Sequence, residues 1–423
     1  MATGKPALVQ LSCCCYGSYI AGPGLAYASG LVRPPISGNL GCYTRLVIPG
    51  FATSEGTARY RDRFPKLREA RHFRRPQGVP EVGDLWFPSI GLGTYLGEPT
   101  AQVDAQYQQA ITAALRSGIN LLDTAINYRH QRSERNIGAA LAELMASGEL
   151  RRDEVLVCTK AGFLPFDGDM PADMRGYFMR EYVQTGILDP QQVAGGSHCM
   201  APRYLADQIE RSRRNLGLET IDVFYIHNPE SQLAESAEVE RPAFRQRLQA
   251  AFTMLEDEVK QEKIRYYGVA TWHGLRRREE ERDYMSLGAL LDMARAAGGE
   301  QHHFRFLQLP FNLGMTEAFA RANQSLDGQP MSVIKMAAST GLAAVGSATL
   351  HQGQLIRNLP DFVRQGLGMA SDSGNAIQFS RSAPGLTTSL IGMGTRDHVL
   401  ANLEPASHPP TPPEQWAKLF GAR

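Results

Sequence analysis

No apolar run in this chain approaches the ~18 residues that a membrane-spanning helix requires. Charge of one sign is also missing: 44 Lys and Arg stand against 43 Asp and Glu, a formal net charge of +1, which points to no polyanionic partner. Cysteine is scarce and badly spaced for a metal or a disulfide scaffold, since three of the six are consecutive (Cys13, Cys14, Cys15) and Cys42, Cys158 and Cys199 are scattered. A reducing compartment, hence the cytoplasm, is the expectation. The glycine fingerprint of a doubly wound dinucleotide fold is absent too, because GLGTYLG lacks its spacing and no acidic residue follows at the required distance. What is present is a chain of 423 residues, 43% hydrophobic and 21% charged, able to bury one large core or two ordinary ones.

The first 75 residues differ in composition from the rest. Residues 1 to 50 are rich in Gly, Ser, Pro and Cys without a period, which reads as poor order or a start codon placed too far upstream. A secretory leader ending at Ala26-Tyr27-Ala28 is the weaker reading, with only Lys5 as its basic start. Residues 59 to 75, RYRDRFPKLREARHFRR, hold eight Lys or Arg against two Asp or Glu. A nucleic-acid surface is one reading; a solvated linker or a short helix lying on the main domain is the favoured one, since no base-stacking motif follows. The expected organisation is an N-terminal extension over 1–75, a main domain over 76–405 and a Pro-rich tail over 406–423.

Eight strand-like runs recur after residue 86, separated by amphipathic stretches such as SERNIGAALAELMASG and YLADQIERSRRNLG. The runs are residues 87–95, 120–125, 155–162, 222–228, 265–272, 304–312, 342–350 and 387–393. Continuous apolar runs between helices suit a parallel sheet covered by helices, and their number predicts a (β/α)8 TIM barrel. Phe163 to Met200, between the third strand and its helix, reads as a long functional loop over the active-site face.

Four ionisable residues fall at or near the ends of the second, third and fourth strands: Asp123 and Tyr128 in LLDTAINY, Lys160 in VLVCTK, and His227 in VFYIH. That face is where barrel active sites lie. An acid, a phenol, an ammonium and an imidazole together suit protonation of a carbonyl oxygen while hydride reaches its carbon. A phenol with a pKa of about 10 exchanges protons poorly at neutral pH, so Lys160 is expected to lower the Tyr128 pKa, with Asp123 orienting the lysine. His227 is expected to donate a hydrogen bond to the substrate oxygen. Singly, each has an ordinary explanation: a turn cap, loop packing, a surface lysine, a structural histidine. Their arrangement at successive strand ends is what those explanations leave over.

From about Ser89 to Leu403 the chain resembles the aldo-keto reductase family. The resemblance rests on GLGTY, GINLLDTAINY with SERNIG, VCTKAG, LGLETIDVFYIHNPE, GVATW, LQLPFN and SLIGMGTRDHVLAN. It implies a (β/α)8 barrel, a catalytic tetrad of Asp123, Tyr128, Lys160 and His227 with Tyr128 as proton donor, and reduction of an aldehyde or ketone with NADPH, or alternatively NADH. It further implies that Gly93 and Thr94 lie by the nicotinamide ribose and that Gln308 holds the carboxamide. The family's Ser-Asn pair is here Ala270-Thr271, and its stacking aromatic is Ser347. The segment from Gly392 to Asn402, with Gly394, Thr395, Arg396 and Asn402, is expected at the adenosine-phosphate end, where Arg396 and His398 are the basic groups. In RHQRSE after Tyr128 the link to the Ser-Glu pair is longer than in many members of the family, and that insertion is expected to alter the rim without moving Tyr128.

Cys199 follows His198 in the long loop; with no further Cys or His spacing in support, a residue near the substrate mouth is expected rather than a metal pair. No metal, nucleic-acid or membrane partner is expected. The alternative function is an NADPH-holding regulatory barrel that acts on a protein partner. The particular carbonyl substrate and the oligomeric state are not written in the sequence.

Overall fold

The computed structural model describes residues 47–76, 78–237 and 239–420. The expectations about residues 1–46 lie outside the described residues. Eight parallel strands, β1 (Ile90–Gly93), β2 (Leu121–Asp123), β3 (Leu156–Ala161), β4 (Ile221–His227), β5 (Ile264–Ala270), β6 (Phe304–Pro310), β7 (Ala343–Ser347) and β8 (Leu386–Gly392), close into a barrel in chain order. The expected (β/α)8 barrel is borne out, with one strand inside each of the eight apolar runs or within a residue of it. Helices alternate with the strands: α1 (Ala101–Arg116), α2 (Arg132–Ala146), α3 (Pro202–Leu216), α4 (Arg241–Lys260), α5 (Leu287–Gly298), α6 (Val333–Ser339), α7 (Asp372–Arg381) and α8 (Arg396–Asn402).

Register sets the site. Gly93 pairs with Asp123 and Gly392, Asp123 with Cys158, Lys160 with Tyr225, and Ala270 with both His227 and Gln308. Because side chains alternate across a strand, this stagger brings Asp123, Lys160 and Gln308 to the same end of the barrel.

The interior is a packed core. Leu121, Leu156, Val223, Tyr225, Phe306 and Leu390 cluster there with Val79, Val82, Leu85 and Phe87 from the segment ahead of β1. That segment closes the barrel. Residues further upstream also pack on it: in the helix Ser54–Asp62, Tyr60 is fully buried and donates to Leu115 O at 2.7 Å. Arg59 binds Asp153 and Glu154 at 2.5 and 2.8 Å, and Arg63 also reaches the buried Glu154 carboxylate. Arg61 lies 4.1 Å from the Trp86 ring centroid, while Arg74 donates to Leu386 O and Arg381 O. Much of the positive charge of residues 59–75 thus faces the barrel. At the other end of the chain Trp416 is fully buried, its indole donating to Phe379 O at 2.8 Å.

The long segment after β3 is partly helical. Met174–Phe178 forms an α-turn that runs on as a π-turn over Met179–Val183, with a 3₁₀ turn at Pro190–Gln192. It is held down on its α2 and α3 side, since Gln131 donates to Phe166 O, Arg132 to Gly168 O, and the Tyr182 and Tyr204 hydroxyls to Pro165 O and Phe163 O.

Candidate active site

Lys160 is the centre of the constellation. Its side chain is fully buried, and Nζ donates to Asp123 Oδ1 at 2.5 Å and to Thr124 O at 2.7 Å. The other carboxylate oxygen of Asp123 accepts from Gln308 Nε2 at 2.8 Å. Burial works against the ammonium, but Asp123 and Tyr128 outweigh it, so the Lys160 pKa stands above its usual value. Burial also pushes the Asp123 carboxyl up, with Lys160 pulling against it.

Tyr128 is half-buried and lies over this pair, with Lys160 Nζ 5.1 Å from its ring centroid. The edge-on rings of Tyr95 and His227 flank it at 5.0 and 5.8 Å. Burial raises the phenol pKa above its usual value, and the attraction of Lys160 recovers only part of that rise. The expectation that Lys160 lowers this pKa therefore holds for its own contribution and fails for the sum. A protonated phenol is the form that can give a proton away.

His227 closes the group at the end of β4. Burial, then Lys160 and His198, hold its pKa well below the usual histidine value, so the imidazole is neutral at neutral pH. Its Nδ1 is buried without a hydrogen-bond partner. An unpaired buried N–H is costlier than an unpaired acceptor, which favours a bare Nδ1 and an N–H on Nε2. All four expected residues thus meet at one end of the barrel.

The positions expected around the cofactor divide. Thr271 Oγ1, just past β5, is buried without a partner, as a group awaiting a ligand would be. At Gly93 a methyl would meet nothing closer than Ile391 O at 3.6 Å, so packing does not demand the glycine and its absent side chain leaves the backbone bare. Thr94 is engaged internally: its Oγ1 donates to Asp123 O at 3.2 Å and its carbonyl accepts from Ser133. The Gln308 amide is likewise taken by Asp123. Ser347 is half-exposed at the end of β7, its carbonyl accepting from Phe311 N at 3.1 Å. Past β8, Thr395 caps α8 by accepting from His398 N; Gly394 is half-buried, Arg396 and His398 are exposed, and Asn402 is buried. Among the described residues no group of three or more His, Cys, Asp or Glu could hold a metal.

Several residues escaped the sequence reading. Tyr95 is 52% exposed beside Tyr128. Glu230 is buried, and its Oε1 accepts the successive N–H groups of Trp272, His273 and Gly274 at 2.6, 2.9 and 3.4 Å, fixing the exit of β5. It stands three residues after His227 in HNPE, and that proximity was its one legible signal. Arg129, His130 and Gln131, at the start of RHQRSE, adopt three consecutive left-handed conformations, with φ of 48°, 55° and 70°. Each costs on the order of 1–2 kcal/mol. They are held by Arg129 on Asp104 at 2.6 Å, by Gly168 N on His130 O at 2.9 Å and by Gln131 on Phe166 O at 3.0 Å.

Residues 89–284 match the aldo/keto reductase family. The chain is 26% identical over 157 residues to aldose reductase B of Dictyostelium discoideum, a stretch covering 37% of each protein. It is 28% identical over 149 residues to the NADH-specific methylglyoxal reductase of Escherichia coli (strain K12), covering 34% of this chain and 39% of that one. These matches therefore span less than two fifths of the relatives' own length. In fold it resembles the glycerol dehydrogenase of Gluconobacter oxydans, at a TM-score of 0.55 and 18% identity over 83% of this chain and 94% of that one. An aldo/keto reductase from Klebsiella pneumoniae, solved with NADP and acetate, gives a TM-score of 0.52 at 19% identity over 80% and 92% of the two chains. The aldo/keto reductase match thus spans the first five strands of the closed barrel, from β1 to β5.

Proposed function

We propose that this barrel reduces an aldehyde or ketone to an alcohol with NAD(P)H, and that Tyr128 is its general acid. The observation that carries the proposal is the convergence of a protonated phenol, a buried Lys160–Asp123 pair and a neutral imidazole at one barrel mouth. Lys160 steadies the charge left on Tyr128 once its proton has gone, and Asp123 keeps the lysine charged and aimed. His227 orients the carbonyl oxygen through its Nε2–H. A bound reduced nicotinamide supplies the hydride.

Thr271 Oγ1 and the bare backbone at Gly93 are the groups best placed to hold the nicotinamide end, and Arg396 with His398 the phosphate end. An exposed guanidinium favours NADPH, because a 2′-phosphate rewards a bidentate charged partner. The NADH-specific relative keeps NADH as the alternative. The scattered cysteines, with Cys158 and Cys199 present as free thiols, support a cytoplasmic home.

Tyr128→Phe tests the reading. Turnover over a panel of aldehydes should fall at least ~100-fold, the lower range for a lost general acid, with NADPH affinity little changed. A variant that keeps more than about a tenth of the turnover would remove Tyr128 from that role. Tight NADPH binding with no oxidation by any member of the panel favours the regulatory alternative instead.

A further inference from the structure

His227 is a strand-end residue, and strand ends are where geometry is lost. Its successor Asn228 turns left-handed at φ 46° and donates to Ala270 O at 2.6 Å, so the His227 carbonyl, trans to that N–H, faces away from β5 toward Gly162 at the end of β3. His198 Nε2 meets that carbonyl at 2.8 Å. On the other side of the imidazole, His198 Nδ1 lies 3.2 Å from Gln232 Nε2, and Gln232 Oε1 accepts from Arg247 at 3.1 Å.

The donors in this chain have one consistent direction. A guanidinium only donates, so Arg247 fixes the oxygen end of Gln232. The Gln232 amide nitrogen then donates to Nδ1, which leaves the His198 proton on Nε2, where a carbonyl that can only accept is waiting. His198 and Gln232 are both buried, and burial holds the His198 pKa down to about 4, so the ring keeps its acceptor at neutral pH.

Two further contacts tie the chain to the His227 ring. Phe163 stands edge-on between the His198 and His227 rings, with centroids at 5.1 and 5.3 Å. Gly162 makes room: a methyl there would fall 2.6 Å from His227 O and 2.7 Å from His198 Nε2. Gln232 lies on the 3₁₀ turn Pro229–Leu233, which also carries Glu230, so one turn braces β4 against both the segment after β3 and the exit of β5.

We propose that His198, held by Gln232 and Arg247, is a positioning residue that fixes the backbone and ring plane of His227 so that its Nε2–H points into the mouth. This rests on the reductase reading for its kinetic consequence, but its structural content stands apart from it. His198 is itself buried, so it acts through His227.

The test compares His198→Leu, His198→Gln and Arg247→Met in the full chain. It uses aldehyde turnover with NADPH, NADPH affinity, and the imidazole ¹⁵N spectrum of histidine-labelled protein. In His198→Leu, kcat should fall roughly 10- to 100-fold, the scale of an angstrom-level misplacement, while NADPH affinity stays within about twofold and His227 passes from one tautomer to a mixture. His198→Gln puts a donor back near Nε2 and should regain most of the loss. Arg247→Met, at a half-exposed position, should lose roughly two- to fivefold and carries the test if the leucine variant does not fold. Wild-type kcat with an unchanged His227 spectrum in His198→Leu overturns the proposal, as does a glutamine variant no better than leucine, or, where leucine does not fold, an Arg247→Met chain indistinguishable from wild type. Should the wild-type chain reduce no carbonyl at all, the reductase reading fails alone. The His227 tautomer then decides: a mixture in the variants supports positioning, and identical spectra reject it.

Discussion

At the scale of single residues, the Lys160–Asp123 pair governs both chemistry and stability. Lys160 keeps its charge in a fully buried position because Asp123 lies 2.5 Å away. Removing one partner of a buried pair leaves an uncompensated charge, which costs about 3–5 kcal/mol. Asp123→Asn should therefore weaken the fold at neutral pH by an amount of that order. It should also invert a slope. In the wild type the Lys160 pKa is raised above its usual value, so its contribution is complete below the unfolded pKa and is lost as pH rises through the folded one. In the variant burial, the largest influence, is opposed mainly by Tyr128 and should lower that pKa, so stability is lost as pH falls below the unfolded value and returns as pH climbs towards it. Urea midpoints for both proteins at neutral and at alkaline pH measure the difference; parallel slopes would mean that Asp123 is not what keeps Lys160 charged.

At the scale of elements, Glu154 is one of the groups that tie the segment from Ile48 to Arg75 to the barrel. That carboxylate is buried, and it accepts from Arg59 Nε, from the Arg63 guanidinium and from Arg151 N. Hydrogen bonds to a charged group contribute about 1.5–3 kcal/mol each, discounted here because both arginines are more than a third exposed and rehydrate on release. Glu154→Gln should lower stability by roughly 1–2 kcal/mol and expose the arginines between Arg59 and Arg75 to trypsin. Equal cleavage rates in variant and wild type would show that the segment is held by other means.

These elements also show what a sequence can disclose. The eight strands were legible because a strand buried on both faces has to be a continuous apolar run. The four candidate site residues were legible because they fall at or near the ends of those runs. The docking of the helix Ser54–Asp62 was legible only as one of two forms, a solvated linker or a short helix lying on the main domain, since arginines that bind a buried glutamate read the same as arginines in water; the one fully buried aromatic among them, Tyr60, carries no such label. Three left-handed residues in RHQ gave no sign either, because none is glycine or asparagine and tertiary contacts hold their backbone. His198 was read only as a loop residue near the mouth, and its contact with the His227 carbonyl spans 29 residues that no local pattern connects.

At the scale of the whole molecule, acid should loosen the barrel at both ends. His72 lies fully buried near the closed end, its Nδ1 2.9 Å from Ser89 Oγ and its Nε2 3.0 Å from Gly118 O, and burial with the charges of Arg381 and Arg74 pushes its pKa down to about 3. His198, at the mouth, is held down to about 4, and His227 also lies well below the ordinary value. For a group whose folded pKa is depressed, the unfolded chain takes up the proton first. The stability it contributes is present above an unfolded pKa of about 6.5 and is lost as pH falls towards the folded value. Each such histidine adds about 1.4 kcal/mol of loss per pH unit inside that window, so His72, His198 and His227 together add a slope of about 4 kcal/mol per unit between about pH 6 and 5. Replacing His72 with glutamine, which cannot titrate, should remove about a third of that slope while leaving the mouth and its turnover at pH 7 unchanged. Urea unfolding at pH 7, 6 and 5 reads the slope directly. If His72→Gln falls as steeply as the wild type, the closed end of the barrel is not where acid acts, and the sensitivity belongs to the histidines at the mouth.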